Sequence, residues 1–264
     1  MVYGLIQGMI GKLVFCWLSS LVLLHADPAP QDLLQQGVSR FQEAYRTWDG
    51  KGFDAAAKDF QQAVSQNPKS ANCRYWLGTA HFHRMLQLQN RDSGQADLEA
   101  GEADMQKAID ALETAVEINP SQAESHAILG TLYGMKINGS FLRAIRYGPS
   151  VQDHQKQAIL HGAKNPRVQY LLGTGLLHTA GNDTDRLEAL KSLLLAEALF
   201  DAEENQNRAP IDPRWGKDVC LTFIGEIFAQ LHRPEQAKDY FRKALRARPN
   251  NVMAKSGLAK LSTR

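Results

Sequence analysis

Cysteine is scarce: three in 264 residues cannot build a disulfide framework. One of them, Cys16, lies in an apolar N-terminal run behind bulky Phe15, where lipid attachment would need a small residue. Strand-forming runs of Val, Ile and Thr are rare, whereas Ala, Leu, Gln, Glu and Lys dominate, a balance that favours an all-helical chain. Neither sign of charge is in excess, with 30 Lys and Arg against 28 Asp and Glu. Composition therefore calls for neither nucleic acid nor an acidic surface as a diffuse partner.

Catalytic signatures are missing as well. There is no Gly-x-Ser-x-Gly elbow, phosphate-cradling loop, His-Glu-x-x-His or Cys-x-x-Cys, so neither an enzyme nor a bound cofactor is expected. His81 and His83 are two apart and point to different faces of a helix, and His154 and His161 are two turns apart, so no metal site is expected. Asp183, Asp185, Glu203 and Glu204 fall in polar connecting stretches, where solvation explains them.

The one long apolar run opens the chain. Lys12 is the only charge ahead of Leu13 to Leu24, and His25-Ala26-Asp27-Pro28 follows. A short positive region, an apolar stretch and a small residue before polar sequence describe a secretory signal over residues 1–26, with cleavage after Ala26. Alternatively the run stays in the inner membrane as an anchor, since it approaches the ~20 residues that span a bilayer. Export to the periplasm follows from the first reading. Residues 27–36 are then a linker, and 37–264 the folded domain.

That domain repeats itself. Ala56, Phe60, Ala63, Pro68; Ala108, Leu112, Ala115, Pro120; Ala189, Leu193, Ala196, Asp201; and Ala237, Phe241, Ala244, Pro249 share gaps of four, three and five. The first three residues of each set lie on one helix face, and Pro or Asp ends the helix. His154, Ala158, His161 and Pro166 keep the spacing but put histidines where small residues belong. A second signature, Leu77-Gly78, Leu129-Gly130, Leu172-Gly173 and Ile224-Gly225, marks the partner helices. Glycine inside a helix costs about 1 kcal/mol relative to alanine, so its recurrence implies close helix contact. Cys73 and Cys220 stand at equivalent places three hairpins apart, too distant to bridge. Extra residues are expected in three inserts: 87–105, lengthening both helices of its hairpin; 137–153, a partly apolar basic loop or short helix; and 203–216. Residues 252–261 read as a capping helix.

The last copy, Asp218 to Asn251, fits a 34-residue unit and resembles the tetratricopeptide repeat. The resemblance implies an all-α superhelix of about five helical hairpins with an inner groove. Two turns, Asn165-Pro166-Arg167-Val168 and Pro213-Arg214-Trp215-Gly216, are further similar to those of bacterial envelope proteins with irregular tetratricopeptide repeats. The glycine-rich segment that such proteins carry between them is replaced here by Ala180 to Thr184. By the same resemblance Tyr75, Thr79, His83, Thr131, Met135, Tyr170, Thr174, His178, Thr222 and Glu226 would face the groove. Tyr, Thr and His suit an extended peptide or a modest ligand. The expected role is a protein- or peptide-binding scaffold of the cell envelope. The alternative is a ligand-capturing accessory of a solute transport system, for which a small-molecule ligand would replace the peptide.

Overall fold

A computed structural model of the chain describes residues 29–90 and 95–262. The expected signal or anchor lies outside those residues. Eleven helices are described. They form five antiparallel hairpins, α1 (Pro30–Thr47) with α2 (Gly50–Gln66), α3 (Ala71–Gln89) with α4 (Gln95–Ile118), α5 (Ala123–Ile137) with α6 (Phe141–Gly162), α7 (Pro166–Thr179) with α8 (Asp183–Glu204), and α9 (Lys217–Gln230) with α10 (Pro234–Ala247). A final helix, α11 (Val252–Ser262), packs on α10 and α9 and caps the stack. The result is the expected all-α superhelix. Short polar side chains start several helices: Asp49 accepts from the amides of Lys51 and Gly52, Ser70 from that of Cys73, and Asn165 from those of Arg167 and Val168. Each satisfies amides that the first helical turn leaves without partners.

Within hairpins, the two repeat signatures pack against each other. A Cβ added to Gly78 would stand 2.5 Å from Leu112, one on Gly173 2.8 Å from Leu193, and one on Gly225 2.8 Å from Phe241. The bulky middle residue of each second helix therefore occupies the space that glycine leaves on the first. Gly37 makes the same contact with Phe60 in the first hairpin, at 2.5 Å, a glycine that the Leu-Gly signature does not include. In the middle hairpin Gly130 meets only Gln155 and His154, no closer than 3.4 Å. The irregular histidine copy is thus the loosely fitted one.

Two boundaries differ from expectation. Residues 30–36 are not a linker but the first turns of α1, and Leu33 and Leu34 are buried against the body. The 137–153 insert is neither loop nor short helix beyond its first few residues: from Phe141 on it is the front half of a 22-residue α6, with Pro149 inside the helix. The 87–105 insert does lengthen its hairpin, to 19 and 24 residues, apart from residues 91–94, which lie outside the described chain. Cys73 and Cys220 are both free and buried.

Candidate functional site

The inner side of the curve is occupied. Trp215, from the irregular stretch between α8 and α9, is buried with its ring edge-on to His83 of α3 and Tyr170 of α7, at centroid distances of 5.0 and 6.5 Å. Those helices begin hairpins two steps apart, and in a superhelix such helices converge only on the concave side. The 203–216 insert therefore sends its tryptophan into the trough that was expected to stand open.

Arg167 holds that insert in place. Its side chain is buried, donates to both carboxylate oxygens of Glu203 at 2.9 and 3.0 Å, and donates to the Pro213 carbonyl. The guanidinium also lies over the Trp215 and Phe200 rings. Burial opposes its charge, but Glu124 and Glu203 outweigh that and raise its pKa. The two turns noted in the sequence, Asn-Pro-Arg-Val and Pro-x-Trp-Gly, thus lock each other across the fold.

A second lock joins the ends of the stack. Buried Asp218, on α9, accepts from Tyr45 of α1 at 2.5 Å, from Arg248 Nε at 2.7 Å and from Asn251 at 2.8 Å. The Tyr45 hydroxyl in turn accepts from the Gly216 amide at 3.0 Å. Arg248 stacks over Trp48, 4.4 Å from the ring centroid. Burial, and then the charge of Asp218, push the Tyr45 phenol well above its ordinary pKa, so it stays a donor.

The ten expected groove residues divide accordingly. Tyr75, Thr79, His83, Tyr170, Thr174 and Thr222 are buried and do not line an open groove, because Trp215 and its neighbours fill that space. His83 sits among the rings of Phe41, Tyr45, Phe53, Phe82 and Trp215. There desolvation lowers its pKa to about 3. Thr131, Met135 and Glu226 are half-buried and His178 is exposed. Burial raises the Glu226 pKa, against the pull of Lys260.

What stays accessible is a cleft of about 340 Å³ beside the plug, between the hairpin turns and the 211–213 stretch. Asn72, Tyr75, Trp76, Gln122, Glu124 and Asn165 form much of its wall. Tyr75 donates to Glu124, which also accepts from Asn165 at 2.8 Å and lies 3.5 Å from Arg167. Gln122 donates to Asn72 at the rim, at 3.3 Å. The cleft offers amides, a hydroxyl at Ser121, the imidazole of His161 and the edge of an aromatic pair, and its two carboxylates, Glu124 and Asp212, already accept hydrogen bonds. Such a wall can hydrogen-bond a peptide backbone, and the Ser121 hydroxyl donates to Asn119 at 2.8 Å. Of these wall residues the sequence analysis had singled out Tyr75 as a groove residue and Asn165 as the start of a turn. The others sit in or beside inter-hairpin turns, where repeat spacing carries no signal.

On α5 and α6, His126 and His154 meet with their Nδ1 atoms 2.9 Å apart, while His126 Nε2 donates to the Pro120 carbonyl at 3.0 Å. Burial lowers both pKa values. Among the described residues no three His, Cys, Asp or Glu side chains come together to hold a metal, and no helix is long and apolar enough to cross a membrane.

Comparison with known proteins places this architecture. The tetratricopeptide repeat family is matched over residues 41–85 and again over 220–251. The sequence has no significant match among curated proteins. Among solved structures, a thermophilic tetratricopeptide-repeat protein of Thermus thermophilus is 18% identical, with a TM-score of 0.63 over 89% of this chain and 100% of that one. The HusA haemophore from Porphyromonas gingivalis is 15% identical, with a TM-score of 0.56 over 76% of this chain and 94% of that one. The Cut9–Hcn1 hetero-tetramer of the APC/C gives 13% and 0.59, covering 89% of this chain and 36% of its match. At these identities the likeness is one of fold. The repeat matches towards both ends, together with the stack of helical hairpins between them, support a tetratricopeptide-repeat protein.

Proposed function

We propose that the chain is a non-enzymatic interaction scaffold of the bacterial cell envelope, which holds a peptide or protein segment in the cleft beside Trp215. The tetratricopeptide fold points to protein partners in general. The observation that carries the specific reading is the cleft itself, where Asn72, Ser121 and Gln122 present hydrogen-bonding groups next to Tyr75 and Trp76. A partner would exchange the long rim contact between Gln122 and Asn72, at 3.3 Å, for hydrogen bonds of its own. The envelope location rests on the apolar N-terminal run and on the two signature turns. A sealed apolar pore along the inner side would favour the transport-accessory reading, and Trp215 stands in that space.

A photo-crosslinking amino acid at Asn72, in cells expressing the full chain, tests the proposal. Discrete protein adducts are expected from Asn72 and not from Arg242 on the exposed face of α10. Substituting Asn72 and Gln122 together with alanine is expected to weaken capture at least tenfold with the fold unchanged. Equal labelling from both positions, or capture indifferent to the double substitution, would sink the cleft as the binding site.

A further inference from the structure

The front of α6 projects beyond its hairpin. Gly162 lies against Ala123, and Gly130 against Gln155. Continued in the same antiparallel register, Ile137 at the end of α5 stands level with the turn at Gly148. The first two turns of α6 therefore run about 10 Å past the helix that supports the rest of it. This explains why three large apolar side chains there have nothing beneath them: Phe141 is 78% exposed, Leu142 77% and Ile145 61%. Offsets of one and four put them on one side of the helix.

Cations stand beside this face. Lys136, Arg143 and Arg146 lie within a stretch, residues 136–152, that contains no Asp or Glu. Among the described residues none of the three forms an ion pair. Arg143 donates to the Lys136 carbonyl at 3.4 Å, Arg146 lies over the Tyr147 ring, and Lys136 donates to Gln106. On neighbouring α4, the Glu113 carboxylate is taken up by the Tyr133 hydroxyl. A balanced net charge of +2 over the whole chain hides this local imbalance.

We infer that the projecting end of α6 is a membrane-surface docking element, whose occupant is an anionic phospholipid bilayer. Phe141, Leu142 and Ile145 enter the boundary between headgroups and acyl chains, and Arg143, Arg146 and Lys136 meet lipid phosphates. A protruding apolar tip flanked by three cations matches interfacial helices, which sink about 5–10 Å into that layer. A protein groove would instead have to accept three bulky side chains and three unpaired cations together. Seated this way, the tip holds the scaffold on the membrane through contacts separate from the cleft and from the N-terminal run.

The test reads the tip alone, so that any binding through the N-terminal run does not count. In the full chain, with Cys16→Ser, an environment-sensitive fluorophore is attached at Leu142→Cys; Cys73 and Cys220 are buried. Vesicles of phosphatidylcholine are compared with an equimolar mixture of phosphatidylcholine and phosphatidylglycerol. A blue shift is expected on the anionic vesicles only, fading as salt rises. Arg143→Ala with Arg146→Ala is expected to weaken it about 25-fold, roughly fivefold per cation. Three results overturn the inference: a probe that stays water-like while the chain floats with anionic vesicles, an equal response on neutral vesicles, or a lipid-free shift that grows with protein concentration. The last would assign the face to a second copy of the chain.

Discussion

In the last hairpin Phe241 fills the space left by Gly225 on one side and approaches Gly257 of α11 on the other, where an added Cβ would stand 2.4 Å away. In the middle hairpin the corresponding place opposite Gly130 is taken by Gln155, and histidines replace the small residues of the repeat. One pair of helices is shaped to fit and is mostly covered. The other is loosely fitted, meets at a histidine pair and leaves the front of α6 uncovered. The contrast shows where this fold stores stability and where it gives up packing. Tight repeats at the ends, tied together by Asp218 and Trp215, allow the middle to keep an uncovered surface.

The sharpest way to break this comparison is to remove the fitted side chains. Phe241→Ala should cost about 3–5 kcal/mol, whereas Gln155→Ala should stay within about 0.5 kcal/mol; urea denaturation of both variants compares them directly. Asp218→Ala leaves Arg248 buried without its carboxylate and should cost a similar amount, about 3–5 kcal/mol. Because that lock joins α1 to α9, hydrogen exchange should then quicken in the first hairpin as well as the last. Protection lost only around α9 would mean that the ends are not coupled.

Acid gives the next largest effect. Below about pH 6.5 the unfolded chain takes up protons on histidine, while His83, with its pKa lowered to about 3, stays neutral in the fold. The stability held above that pH is lost as pH falls toward 3, about 2–3 kcal/mol of it by pH ~4.5. His83→Leu should flatten that limb in urea midpoints measured at the two pH values. The depressed values of His126 and His154 act in the same direction, so some acid sensitivity should remain in the variant.

The smallest effects separate the glycines. Gly225→Ala should cost about 1–3 kcal/mol, because its new methyl group meets the Phe241 ring. Gly130→Ala meets chiefly a flexible glutamine and should be neutral or stabilising by up to about 1 kcal/mol. Similar losses at both positions would show that the middle hairpin is as tightly fitted as the others.

The hairpins were legible because their signal is local and periodic. Ala56, Phe60 and Ala63 share a face by helix geometry alone, and Gly78 opposite Leu112 follows from stacking two such faces. The start of the domain was less legible, since Leu33 and Leu34 precede the first repeat and need the second hairpin layer to be recognised as core. The candidate site was legible only in part. Tyr75 was picked out, but six of the ten expected groove residues turned out to be buried. Trp215 and Arg167 were seen as marks of two turns, with nothing in their spacing to show that the turns would meet.

By itself, the sequence determined the helices, their pairing into hairpins and the capped stack, because period and residue size act between neighbours along the chain. Tertiary structure alone decided what fills the inner side. Tyr45 and Asp218 are 173 positions apart and Tyr75 and Trp215 are 140 apart. Contacts at such range depend on the accumulated curvature of the whole stack, a quantity that no local pattern specifies.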